Sequence, residues 1–233
     1  MIQALFFAHL LGDYVFQTDS LAAWKSRSIW GVIVHGSIVT LFTWLCSTLI
    51  SPRWWPYALL IGGTHIVIDF GRTQFKKIGP GTTLFLFLTD QALHALVIVW
   101  TVRWTGWLAP HPAETALGAW LLQDNRLPFL IGYSLLSAPA WVLVYFVVKG
   151  TGAENKSLPG RPGERYVGMI ERGLIATFVL LGQYLLVPLV LTPRLALDGR
   201  HYQAETERIG YLSELLVSAA LAVLVGLILR AVT

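Results

Sequence analysis

Apolar residues run along this chain in long blocks separated by short polar stretches. A membrane-spanning helix needs about 20 mainly apolar residues. By that length the candidate spans are about 1–17, 30–50, 55–72, 83–106, 128–149, 167–191 and 210–231. The first is short and marked by His9 and Asp13, and in the third Gly62-Gly63 interrupts the apolar run. Thr18-Asp19-Ser20 is a helix-start signal. It opens a short interfacial helix over Leu21 to Ser28, with Lys25 and Arg27 on its polar edge. A second surface helix is expected over Ala113 to Leu122. Residues 150–165, rich in glycine, proline and charge, form the clearest polar linker. The pattern therefore predicts an all-α, polytopic integral membrane helical bundle of about six or seven transmembrane helices with short interfacial helices. The bundle proper covers 1–149, the linker 150–165 and a C-terminal transmembrane hairpin 166–233. No internal repeat and no low-complexity stretch is evident.

Composition agrees. Hydrophobic residues make up 55% of the chain and charged residues 13%, against roughly 25% charged in soluble domains. Several of the ten tryptophans (Trp30, Trp54, Trp55, Trp104, Trp107) stand at the ends of apolar blocks, where an interfacial aromatic belt would place them. The net charge of +4 is scattered and forms no basic stripe, so a nucleic-acid partner is not expected. The single cysteine, Cys46, excludes a disulfide framework or a thiolate metal site. The first residues lack a basic leader and a small-residue cleavage site, so no cleaved signal peptide is expected. If seven helices alternate, the loops carrying Lys25, Arg27, Arg72, Lys76, Lys77, Lys149 and Lys156 hold the larger share of basic residues. That side is then cytoplasmic, with the N-terminus outside and the C-terminus inside. Glycine and alanine surfaces permit a homo-oligomer without demanding one.

The chemistry lies where hydrocarbon should exclude it. An ionisable side chain inside a bilayer costs several kcal/mol unless paired, solvated or metal-bound. The first four blocks nonetheless carry His9 and Asp13 (HLLGD), His35 (VHG), His65 and Asp69 (HIVID), and Asp90 and His94 (DQALH). Three of these pairs are spaced i, i+4, which puts both side chains on one helical face. At about 1.5 Å rise per residue, Asp13, His35, Asp69 and Asp90 fall at one depth from a common membrane face. His9, His65 and His94 fall one turn deeper. Any one of these residues is more simply a packing group hydrogen-bonded across the bundle. Seven at matched depth point instead to a divalent-metal site. Imidazole and carboxylate donors suit zinc first, then iron, manganese or nickel, and the surplus of donors suits one or two ions.

Around this set, Gln17, Lys25, Gln91 and Arg72 are candidate substrate-binding residues, the two cations for an anionic headgroup. Their ordinary roles are interfacial polarity and topology. Glu171 and Arg172 fall at a comparable depth in the second half and are candidates for an outer shell. For Glu171 a structural ion pair is favoured, with a partner other than Arg172, because adjacent residues on a helix do not face each other. His111 and His201 lie in loops.

These motifs resemble a family of bacterial membrane proteins, domain of unknown function 3307. The family pattern is H-x3-D-[FY]-x2-Q, then a Lys, a lone His, an H-x3-D and a D-Q-x2-H. HLLGDYVFQ, Lys25, His35, HIVID and DQALH match it in order. ERYVGMIERGLIATFVLLGQY and AETERIGYLSELL resemble its longer members. The resemblance implies a bacterial inner-membrane location and supplies no activity. The site chemistry is similar, by analogy alone, to that of metal-dependent inner-membrane hydrolases.

The expected function is an intramembrane metal-dependent hydrolase acting on a lipid or lipid-linked substrate near the cytoplasmic face. Asp13, Asp69 or Asp90 would be its base. The alternatives are a metal-ion or proton transporter or channel, a non-haem iron oxidase or hydroxylase, and a membrane scaffold in which the polar cluster only fixes packing.

Overall fold

The computed structural model describes residues 1–74, 80–150, 162–198 and 205–232. The sequence elements 151–161, Lys76, Lys77 and His201 lie outside the described residues. No strand occurs among the described residues. The chain divides into two compact units, Met1–Ser134 and Leu135–Thr233.

The first unit is built on helix α3 (Ile29–Ile50). Ser28 caps its first turn, its hydroxyl accepting from the Trp30 N–H at 3.2 Å. Helices α1 (Ile2–Leu10) and α4 (Trp55–Thr73) pack on α3, and α5 (Pro80–Trp104) packs on α1 and α4. Small residues set the closeness. A Cβ added at Gly12 would lie 2.7 Å from the Val39 Cα, one at Gly36 would overlap Ile66, and one at Gly62 would overlap Thr40. Leu5, Trp54, Ile61, Ile98 and Val102 form a dry core through one half of the bundle. The short α2 (Asp19–Lys25), started by the Thr18 hydroxyl accepting from the Leu21 N–H, lies against the start of α3. At the far end of α3, the Thr115 hydroxyl donates to the Leu49 carbonyl and Ser51 donates to Glu114 at 2.9 Å. These bonds satisfy polar groups where α3 stops, just before α6 (Ala116–Leu122). Helix α7 (Arg126–Leu136) runs across the division between the units.

The second unit comprises the end of α7, α8 (Ala138–Gly150), α9 (Pro162–Leu180), α10 (Val187–Asp198) and α11 (Glu205–Ala231). Leu136, Ile175, Ala176, Val179 and Ala222 form its core.

The all-helical expectation holds among the described residues, and the expected count of six or seven spans is not supported. Among the described residues, three helices are long and apolar enough to cross a membrane: Ile29–Ile50, Leu84–Trp104 and Arg208–Ala231. A fourth is added if the bent pair Arg126–Leu136 and Ala138–Val148 counts as one span. The block at 1–17 fails because α1 is short and continues only as a π turn, Leu11–Val15. The block at 167–191 is not one helix. It ends at Leu180, and Gly182 turns the chain with φ of 73°, a conformation only glycine adopts freely. Orientation by seven alternating spans goes with that count. What remains is a membrane-like surface: Trp30, Leu41, Phe85, Leu96, Trp104 and Leu216 face outward while His35, His65 and Asp69 are buried. Trp54 departs from the expected aromatic belt. It is 1% exposed and packs on Tyr57 and Trp107 inside the bundle.

Candidate metal centre

All seven histidines and aspartates of the first four blocks are buried, and they meet between α1, α3, α4 and α5. The i, i+4 spacing delivers His65 with Asp69 and Asp90 with His94 from one face each of α4 and α5. Asp13 comes from the π turn that follows α1. Such turns occur often at functional sites, because the extra residue re-aims a side chain. His35 projects from α3 between the flanking helices and is fully buried.

At the centre, four atoms from two helices and the π turn converge. The His35 Nε2 lies 3.0 Å from Asp13 Oδ1, 3.4 Å from Asp69 Oδ2 and 3.3 Å from His65 Nε2. The His65 Nε2 lies 3.2 Å from Asp69 Oδ2 and 3.8 Å from Asp13 Oδ1. A tetrahedral ion held at about 2.0–2.1 Å by nitrogen and oxygen requires its ligand atoms to stand about 3.3–3.4 Å apart. These five separations bracket that value, and ligand atoms of Asp13, His35 and His65 all lie within 4.8 Å of one another. The donor set and its spacing fit a divalent ion.

One turn away the imidazoles gather. His94 stacks on His65 with centroids 4.1 Å apart, and His9 lies 5.2 Å from His94 and 5.5 Å from His65. The His9 Nε2, both ring nitrogens of His94, the second oxygen of Asp69 and one oxygen of Asp90 are buried with no hydrogen-bond partner among the described residues. Unpartnered buried polar atoms are costly, at about 1–3 kcal/mol each. With the His35 Nδ1, six in one cluster ask for a partner that is not a side chain.

Cations stand at the edge. The Lys25 ammonium donates to Asp69 Oδ2 at 3.1 Å and lies 4.0 Å from Asp13 Oδ1. Arg72 donates to Asp90 Oδ2 at 2.8 Å. The Gln91 amide donates to Asp13 Oδ2 at 3.1 Å and to Asp90 Oδ2 at 3.2 Å, tying the two carboxylates together. Gln17 is not drawn in, and its buried Oε1 has no partner among the described residues.

Residues 1–117 match the family described as protein of unknown function (DUF3307), half of the chain. The chain belongs to this family. The DUF3307 match contains every histidine, aspartate, lysine, arginine and glutamine just described. The C-terminal stretches read as similar to longer members lie beyond it. No curated protein and no solved structure shows a match to this DUF3307 chain.

Glu171 and Arg172 belong to the other unit and are employed there. Glu171 accepts from Arg194 at 3.1 Å, and Arg194 also donates to Glu214 at 2.7 Å. Arg172 donates to the Leu136 and Ser137 carbonyls and to the Ser218 hydroxyl. Sequence reasoning missed Arg194 and Glu214 as the partners, because Arg194 reads as a loop residue beyond an unbroken span. The signal available was Gly182 within that apolar block.

Proposed function

We propose that this membrane protein holds a divalent metal ion, zinc by preference, among Asp13, His35, His65 and Asp69, and uses it to hydrolyse an anionic lipid or lipid-linked substrate. The observation that carries the reading is the convergence of four buried donor atoms, with contacts of 3.0–3.8 Å among them. A divalent ion there supplies Lewis acidity, polarising a phosphoryl or acyl oxygen and lowering the pKa of a water. Catalysis is favoured over a purely structural ion by the surplus. His9, His94 and Asp90 stand beside the four donors with unpartnered atoms, and Lys25 and Arg72 bring positive charge to the same edge.

The chain's own residues then divide the work. Asp13 and Asp69 are committed as ligands, which leaves Asp90 as the base. Its Oδ1 is unpartnered while Arg72 and Gln91 hold Oδ2. Asp90 takes the proton of the attacking water, and the water oxygen bonds to the phosphoryl or acyl centre. The ester bond breaks, and Asp90 returns the proton to the leaving oxygen. Lys25 and Arg72 hold the anionic group. The exposed apolar residues on α3 and α5 suit a lipid substrate.

A transporter is the second reading, favoured by the row of ring contacts from His9 through His94 and His65 to His35. Purified protein decides among the readings. Metal analysis should find at least one tightly held ion per chain, lost in His65→Ala and Asp69→Asn. A chromogenic phosphodiester should be cleaved by the metal-loaded protein and not by Asp90→Asn. Zinc flux into dye-loaded liposomes that disappears with the same substitutions would replace hydrolysis by transport. A protein without metal would reduce the cluster to a packing device.

A further inference from the structure

The two oxygens of Asp13 face different partners. Oδ1 looks into the quartet, 3.0 Å from His35 and 3.8 Å from His65. Oδ2 looks the other way, 3.8 Å from the His9 Nε2 and 3.1 Å from the Gln91 amide. A carboxylate that divides its oxygens between two groups of nitrogen donors has the arrangement of a bridging ligand. The second group is defined by geometry as well. Ligand atoms of His9, Asp13 and His94 all lie within 4.8 Å of one another, and all three residues are buried. The His9 Nε2 and both nitrogens of His94 lack partners, although His9 is only 7% exposed and His94 only 3%.

We infer that the centre holds two ions bridged by Asp13 and that its substrate is a phosphoryl group, an inference that rests on the metal-dependent reading above. One ion sits among Asp13, His35, His65 and Asp69. The other sits on Asp13, His9 and His94. Three protein ligands leave an open position at the second, as catalytic metal sites have. Asp90 adjoins this second group, its Oδ2 lying 4.0 Å from the His94 Nδ1. The base thus stands beside the ion with the open position. Paired ions about 3.5–4 Å apart clamp both the attacking and the leaving oxygen of an in-line displacement.

Charge selects the substrate. With neutral imidazoles, the carboxylates Asp13, Asp69 and Asp90 oppose only Lys25 and Arg72. One divalent ion leaves the cluster with a single excess positive charge. A second raises the excess to three, too much for a buried site unless a multiply charged anion joins it. A phosphate group supplies that charge and a neutral ester does not. The bidentate donors of Arg72 suit its oxygens.

The test uses the full-length chain in detergent, stripped with chelator and reloaded with manganese. Two equivalents and an exchange-coupled paramagnetic resonance spectrum are expected in the native chain. One equivalent and an uncoupled spectrum are expected in His94→Gln and His9→Gln. Inorganic phosphate should bind the two-ion protein at least about tenfold more tightly than it binds His94→Gln. One equivalent in the native chain, unchanged in both variants, would overturn the two-ion inference and leave a single-ion enzyme standing. Equal phosphate affinity would overturn the substrate assignment. No bound manganese or zinc at all would remove the reading on which both rest. The native spectrum needs no variant, so misfolding of a substituted chain cannot hide the result.

Discussion

Lys25 and Asp69 show how far single residues decide this site. The ammonium at 3.1 Å from Asp69 Oδ2 and 4.0 Å from Asp13 Oδ1 competes with any cation for the same carboxylates. Lys25→Met should therefore tighten zinc binding, by on the order of tenfold, while weakening capture of a phosphate. Chelator competition reads the first change. Looser zinc binding would show that Lys25 helps hold the carboxylates in place rather than competing with the ion. At this scale much was legible. The i, i+4 spacing of HIVID and DQALH, with matched depth, named the residues that meet. What could not be read was their division of labour. Gln91 bonds Asp13 and Asp90 together, and Asp13 splits its oxygens, because both depend on rotamers and on the π turn. No spacing rule encodes those.

Adjacent glycines make the element scale testable. Gly62-Gly63 interrupts the third apolar block, yet these two residues have different work. Gly62 faces α3 where a Cβ would overlap Thr40, and Gly63 faces open space. Gly62→Ala should cost about 1–3 kcal/mol by overpacking and should lower metal occupancy by moving His65 relative to His35. Gly63→Ala should stabilise by about 0.5–1 kcal/mol through helix propensity. Thermal unfolding in detergent, with metal analysis beside it, distinguishes them. Identical behaviour of the two variants would contradict the packing assigned to the α3–α4 seam. The helix start at Thr18 was readable from chemistry, while Ser28, expected at the end of the interfacial helix, caps the start of α3. Helix ends were not read, although signals existed. Pro139 falls in the first turn of α8, where it has no N–H to continue the helix from Leu135. That break leaves the block at 128–149 as a bent pair rather than a straight span.

The molecule as a whole keeps two buried charge systems in two units. In the second unit, Arg194 neutralises Glu171 and Glu214. Arg194→Met withdraws that cation from two buried carboxylates and should cost about 3–5 kcal/mol. Metal content should stay unchanged, since every proposed ligand lies in residues 1–117. Loss of metal without loss of stability would contradict that separation. Chelation, by contrast, should lower the melting temperature. An ion held at a thousand times its dissociation constant contributes about 4 kcal/mol. Composition pointed to the apolar helices compatible with a membrane, but length alone overcounted the spans, because apolar blocks that turn at Gly182 or stop after a π turn look continuous in sequence. The central claim is that imidazole nitrogens and carboxylate oxygens converge on an ion. Zinc-edge X-ray absorption of the purified protein examines this directly. The expected spectrum has a nitrogen and oxygen shell at about 2.0–2.1 Å with imidazole outer-shell scattering and no sulfur. A sulfur shell, or protein that carries no zinc after saturation and washing, would contradict it.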